Sequence, residues 1–524
     1  MKKYNSNRLT RLTAVFFVLT AISAILFRSC RTNWVFIGTT VGFDGFAVLL
    51  LALMVSNAVL LGILLIQHLY TEDKIHNRKA CQIISYLSFV FSGVFFVFAT
   101  IYSIGLFIGE NNEVFSLNLM KTLKEGSYMI LIPFVTIMLP KFPCKAKKIT
   151  ISAIILITIL SGINAFYPLS PYKITSVPMI IDNGKEYSVV FSTNDYGTAF
   201  VEYTYNGKKY KTYDSTGGRL NSESKIHRVS IPYEHLRNNV YTVGSTRVIE
   251  EFSYGSRTGK TITSSEYKFT YNDSENQTWL VISDWHTFLD RAKISINNLR
   301  SNYDAVIMLG DASPGIDYEE QVITNIIKFG GEVSNGTKPV VYVRGNHETR
   351  GSYANNLSTV LGLEQFYYTT NIGPYSFVVL DSGEDKDDSH IEYGGMNDYN
   401  SYRADMIEWL KTVEAKNDKV IALCHAWEIN SVEEKLSAAG WKELDRLNTS
   451  LMISGHEHKC RFVGDKNDKE KEFKKKYSDI ITYIDGGKME DNYVASLLTL
   501  NENGFKINAV DMYGEELVNK QFEW

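Results

Sequence analysis

The chain has 524 residues, five cysteines and a formal net charge of −4. That length is too great for one ordinary domain and suggests roughly three. The near-balanced charge gives no global pointer to a nucleic-acid partner, whose binding leans on a concentrated basic surface. The odd, widely spaced cysteines (Cys30, Cys81, Cys144, Cys424, Cys460) exclude a disulfide scaffold and a C-x-x-C zinc site.

Composition changes near residue 168, apolar before it and polar after it. Segments 47–67, 83–108 and 149–167 approach or exceed the ~20 apolar residues of a spanning helix. Segment 12–27 is somewhat short, and 126–140 is shorter still and contains Pro133. With the N-terminus inside, the inner segments hold Lys2, Lys3, Arg8, Arg11, Lys74, Arg78, Lys79, Lys141, Lys145, Lys147 and Lys148. The outer ones hold only Arg28, Arg31, Lys121 and Lys124. This asymmetry predicts five crossings. The expectation is an α-helical transmembrane bundle over 1–168, with the lipid bilayer as a partner. The N-terminus is then cytoplasmic and everything after 168 extracytoplasmic, in the cell membrane; if 126–140 does not span, the side reverses. A cleaved signal peptide at 1–30 is disfavoured, because no small-x-small site follows the apolar core.

Residues 170–275 read as a β-sandwich. Val201, Tyr203 and Tyr205 alternate with other residues, and Asn206-Gly207 follows as a hairpin signal. Further strand-like runs occupy 186–193, 227–232, 240–250 and 261–271. The run Tyr187–Tyr205, with Asn239–Val243, resembles the fibronectin-like domain that precedes the catalytic domain in purple acid phosphatases. His227 and His235 lack partners at ligand spacing, which favours packing or surface roles.

From 276 to the end, short apolar runs alternate with helix-like stretches, an α/β pattern. Five runs end in residues of metal-binding type. Leu280–Ser283 leads to Asp284-Trp285-His286, Val306–Leu309 to Gly310-Asp311, and Val340–Val343 to Gly345-Asn346-His347-Glu348. Val420–Leu423 leads to His425, and Leu451–Ile453 to Gly455-His456-Glu457-His458. Strands of one sheet bring their ends to a common edge, where loops from distant positions converge. Mixed imidazole, carboxylate and amide donors suit divalent Mn, Fe or Zn. A lone histidine is usually structural, but five of the chain's ten fall in these motifs, at successive strand ends. Trp285 is left between flanking a substrate and packing. Asp381 is favoured as structural, Cys424 and Cys460 as packing residues, 401–415 as a packed helix and 465–476 as a solvated loop. Residues 493–500 and 505–512 read as a closing hairpin, and Asp485 as outer support for the site.

In this order, D-x-H, G-D, G-N-H-E, H and G-H-x-H resemble the calcineurin-like metallophosphoesterase superfamily over about residues 278–490. The resemblance implies a four-layer αββα domain at 276–524 and a dinuclear metal centre that hydrolyses phosphate mono- or diesters. By position, Asp284, His286 and His458 would bind one divalent ion, and Asn346, His425 and His456 the other. Asp311 would bridge, while His347 would meet the phosphate and protonate the leaving oxygen. Pro314 departs from the pattern, which often has Asp or Asn three residues after the bridging Asp. The metal-binding Tyr of purple acid phosphatases is also missing, since Tyr318 comes too late. The competing expectation is a catalytically silent membrane receptor or scaffold, disfavoured because no ligand is lost.

Overall fold

A computed structural model describes residues 171–252, 255–430, 432–464 and 468–524. Of the two compact units into which the chain divides, the described one comprises Tyr172–Glu251 and Thr258–Trp524. Its centre is a pair of β-sheets packed face to face. In the first, strands Gln277–Ile282, Ala305–Met308 and Pro339–Tyr342 run parallel, and Asn492–Asn501 flanks Gln277–Ile282 antiparallel. In the second, Tyr375–Val379, Lys419–Leu423, Thr449–Ser454 and Ile481–Ile484 run parallel.

The period-2 alternation of side chains explains why both faces of the second sheet are buried. Phe377, Val379, Ile421, Leu423, Leu451 and Ile453 point into the core between the sheets. There the ring of Phe377 lies 4.6 Å from that of Trp279. The intervening Val378, Val420, Ala422 and Met452 point the other way, against Met406 and Leu410 of the helix Tyr399–Thr412 and Trp441 and Leu444 of Glu434–Arg446. The packed helix and the closing hairpin expected from the sequence thus lie within a few residues of their expected places (the hairpin as Asn492–Asn501 with Gly504–Asp511). Most of 465–476, expected as loop, lies in the helix Asp468–Tyr477, and Glu470 ties it to Arg461 through a 2.8 Å ion pair.

The middle segment requires a correction. Met179–Asp182, Tyr187–Ser192 and Ile226–Ile231 do not belong to a separate sandwich; they extend the first sheet. Met179–Asp182 pairs in parallel with Pro339–Tyr342, Ile180 opposite Pro339 and Ile181 opposite Val340. The physical reason is that Pro339–Tyr342 would otherwise end the sheet as an unpaired edge. Alternate residues of Met179–Asp182 serve two cores: Met179 and Ile181 face the inter-sheet core, while Ile180 packs with Val201 and Val243 of a third, antiparallel sheet. The Asn206-Gly207 turn joins Gly197–Tyr205 to Lys208–Tyr213 in that sheet, with φ of 49° and 73°. Alternation showed that strands were present, but it carried no information on which neighbour each would pair with.

The expected fold class is corrected further. No helix among the described residues is long and apolar enough to cross a membrane. The helix Tyr399–Thr412, with 14 residues, spans about 21 Å at 1.5 Å per residue, short of a ~30 Å hydrocarbon core. The structure therefore gives no support to a transmembrane bundle, to an integral-membrane localisation with the catalytic domain outside, or to the bilayer as partner. The five expected spans lie outside the described residues.

Candidate metal centre

All five motifs leave the C-terminal ends of parallel strands, and the two sheets bring those ends together. Asp284 and His286 follow Gln277–Ile282, Asp311 follows Ala305–Met308, and Asn346 and His347 follow Pro339–Tyr342. His425 follows Lys419–Leu423, and His456 and His458 follow Thr449–Ser454. Three clusters of ligand atoms result: Asp284, His286 and His458; His286, Asp311 and His347; and Asp311, His425 and His456. Asp311 belongs to two of them. Its Oδ2 lies 3.2 Å from His425 Nε2, 3.6 Å from His286 Nε2 and 3.8 Å from His347 Nε2. His458 Nε2 is 3.3 Å from Asp284 Oδ1 and 3.2 Å from His286 Nε2. Asn346 Oδ1 joins the other side, 3.1 Å from His456 Nδ1. The structure thus gathers every residue singled out from the sequence.

The loops hold these groups in costly conformations. Asp284, His286, Asp311, His456 and His458 all have positive φ, between 36° and 72°, a region that non-glycine residues seldom enter. Such strain persists where surrounding bonds over-determine it. Here the main-chain N–H of Asp284 donates to Gly310 O at 2.9 Å, and that of His286 to Asp311 O at 2.9 Å. The neighbouring glycines serve two purposes. Gly310 itself turns with φ of 83°. Gly345 is there for close approach, since a Cβ would sit 2.2 Å from Asp311 Oδ1.

Each side chain is aimed by a bond on its far side. His425 Nδ1–H donates to Leu309 O at 2.6 Å, leaving Nε2 to face Asp311. Asp284 Oδ2 accepts the His456 N–H at 2.9 Å, leaving Oδ1 to face the histidines. Asp284 Oδ1 and His425 Nε2 are buried without a hydrogen-bond partner. Orphaned buried polar atoms are uncommon, and a cation at each cluster would satisfy one of them, so the donor set fits a metal pair.

Electrostatics agree. Burial pushes His286 down to about 4, and burial with the nearby His425 lowers His456, which favours neutral imidazoles, the form a metal takes. Burial also pulls on His425, but the Asp311 charge overrides it and lifts the imidazole to about 10. Burial raises Asp311, and the histidines, His425 first, outweigh it and hold the carboxyl well below its usual range. A cation at His425 would have to replace that proton, so its uptake would weaken as pH falls.

Several supports escaped the sequence reading. Glu348, buried, accepts N–H bonds from Asp311 (2.9 Å), Gly345 (2.8 Å) and Ala312. Glu457, between His456 and His458, accepts from Trp427 Nε1 at 2.9 Å and pairs with Arg461. Asp485 does support the site, accepting from Ser283 Oγ at 2.9 Å and Ser496 Oγ at 2.5 Å behind Asp284. Trp285 packs; it is fully buried and its Nε1 donates to Asn325 O at 2.8 Å. Asp381 is structural, bound by Arg344 at 2.5 Å and Tyr402 at 2.9 Å. Cys424 and Cys460 are free thiols, and Cys424 lies in the outer core.

A family model described as calcineurin-like phosphoesterase matches residues 278–460, the span that contains every clustered residue. Residues 278–460 thus carry a calcineurin-like phosphoesterase domain by this match. Among solved structures, the chain is similar to one titled PhoD, at 11% identity and a TM-score of 0.41, over 68% of this chain and 90% of that one. A conserved uncharacterised protein of Streptococcus pneumoniae, titled a predicted phosphoesterase, is similar at 13% identity and a TM-score of 0.23, over 48% and 98%. A cold-active protein-tyrosine phosphatase of a psychrophilic Shewanella is similar at 10% and 0.23, over 68% and 100%. No curated protein matches the chain. The phosphoesterase domain carries His/Asp clusters able to hold divalent metals.

Proposed function

We propose that the chain hydrolyses phosphate mono- or diesters with water at a pair of divalent cations, Mn, Fe or Zn. Asp284, His286 and His458 would hold one cation, Asn346, His425 and His456 the other, and Asp311, shared by two of the clusters, would serve both. When bound, such a pair polarises the phosphate and supplies a hydroxide nucleophile near neutral pH. The observation that carries this reading is Asp311 shared by two ligand clusters, with Asp284 Oδ1 and His425 Nε2 buried and unpartnered around it.

The chain's own residues supply the rest. His425 and Asp284 are oriented by Leu309 O and the His456 N–H, so little reorganisation accompanies the reaction. His347 is not needed as a ligand. Its Nδ1 donates to Pro314 O at 3.0 Å, turning Nε2 toward Asp311, where a proton on Nε2 can pass to the leaving oxygen. No side chain need form a covalent intermediate.

Asp311→Asn tests the reading. Removing one partner from a buried charge pair costs about 3–5 kcal/mol, which in the transition state is roughly a 10²- to 10⁴-fold loss of turnover. The assay is manganese-supplemented hydrolysis of an aryl phosphate and a bis-aryl phosphate by the full chain. Near-normal turnover in this variant would overturn the assignment.

A further inference from the structure

We propose that Arg350 is a positioning residue for His347, locked by Glu384 so that its guanidinium holds the imidazole toward the metal cluster. This rests on the function proposed above. Arg350 Nε donates to Glu384 Oε1 at 2.7 Å and Nη2 to Oε2 at 2.7 Å, a bidentate fork. Glu384 is only 1% exposed and also accepts from Thr349 Oγ1 (2.8 Å) and Tyr393 OH (3.0 Å). Nη2 makes a longer contact to Asp385 at 3.4 Å. The remaining nitrogen, Nη1, stands 3.3 Å from His347 Nδ1 and 3.4 Å from Nε2. Nδ1 already donates to Pro314 O and the acid form carries a proton on Nε2, so Nη1 bears on the ring by contact and not through a hydrogen bond to either nitrogen.

The imidazole is therefore fixed on two sides. Pro314 O accepts the hydrogen bond from Nδ1–H, and Arg350 blocks rotation of the ring away from Asp311. At the position where a side-chain carboxylate or amide was expected, Pro314 offers only a main-chain carbonyl. That carbonyl fixes one nitrogen's direction without closing off the ring's faces, and Arg350 supplies the missing constraint. Lysine could not do so, because a single ammonium cannot grip Glu384 bidentately and lie on the ring at once.

The test uses the full chain, manganese and two aryl phosphates, one with a good and one with a poor leaving group. Misplacing a reacting group by about 1 Å can cost about 10²-fold. R350A should lower kcat about 10- to 100-fold for the poor leaving group and clearly less for the good one, with KM changed less than about threefold. R350K should not restore it. In an H347A background, R350A should add no further loss. Equal losses for both esters, or a full additional loss on top of H347A, would make Arg350 a loop anchor only and overturn the proposal. A readout without turnover is the protected Nδ1–H signal of His347 by NMR. Its loss in R350A supports the positioning role and its persistence refutes it, even if no ester is cleaved. Failure of the wild type to cleave either ester would instead count against the proposed function.

Discussion

Glu348→Gln changes one atom and exposes how the metal loops are held. The Glu348 carboxylate accepts three main-chain N–H bonds: from Asp311 and Gly345 at Oε2, and from Ala312 at Oε1. Burial and the Asp311 charge push its pKa up to about 7, while the Ala312 and Asp311 donors pull it down. All three partners are donors, so the cradle fits the ionised form. A glutamine can keep its oxygen at Oε2 but must then turn its NH₂ onto the Ala312 N–H, donor against donor. One unsatisfied buried donor costs about 1–3 kcal/mol. Replacing charge-assisted bonds by neutral ones roughly halves the remaining two, another ~1–2 kcal/mol. The sum, roughly 2–5 kcal/mol, corresponds to a fall in Tm of about 4–10 °C for a domain of this order of size. The assay is thermal unfolding with metal analysis of the same preparation, where metal retention should fall with Tm. A Tm within about 1 °C of wild type and unchanged metal content would refute the cradle.

Two further outcomes are expected. His347→Asn should lower turnover about 10²- to 10⁴-fold while metal content stays near wild type; loss of both metals would make His347 a ligand. His227, buried with its ring on Thr193 Oγ1 at 2.7 Å, is pushed by burial down to about 3. Above about pH 6.5 it is neutral folded or unfolded. Between about 6.5 and 3 only the unfolded chain takes the proton, so this site costs stability as pH falls, by up to ~1.4 kcal/mol per pH unit. In urea titrations at pH 7, 5 and 4, His227→Gln should gain on wild type as pH falls; parallel curves would contradict this.

Much of the site was legible because its chemistry sits next to recognisable strand ends. The runs before Asp284, Asp311, Asn346, His425 and His456 are short and apolar, and glycine marks three of the exits (Gly310, Gly345, Gly455), so the sequence announces where each loop emerges. The supports were less visible. Glu348, Glu457 and Glu384 act through main-chain or long-range partners, and nothing in their spacing separates them from surface glutamates. Gly345 matters through its lack of a side chain beside Asp311 Oδ1, a proximity that spacing does not show. In the fold, periodicity located Tyr187–Ser192 and Ile226–Ile231 but not the sheet they join. Pairing partners depend on which edge is open, and here the open edge is Pro339–Tyr342, some 150 residues further along the chain. The charged run at 465–476 misled because its ion pair to Arg461 is tertiary.

The most direct measurement is anomalous scattering from crystals of the protein grown with manganese. Two peaks about 3.5–4 Å apart, on either side of Asp311 and within bonding distance of Asp284 Oδ1 and His425 Nε2, are predicted. A single peak, or none at saturating manganese, would contradict the shared-carboxylate centre on which the hydrolase reading stands.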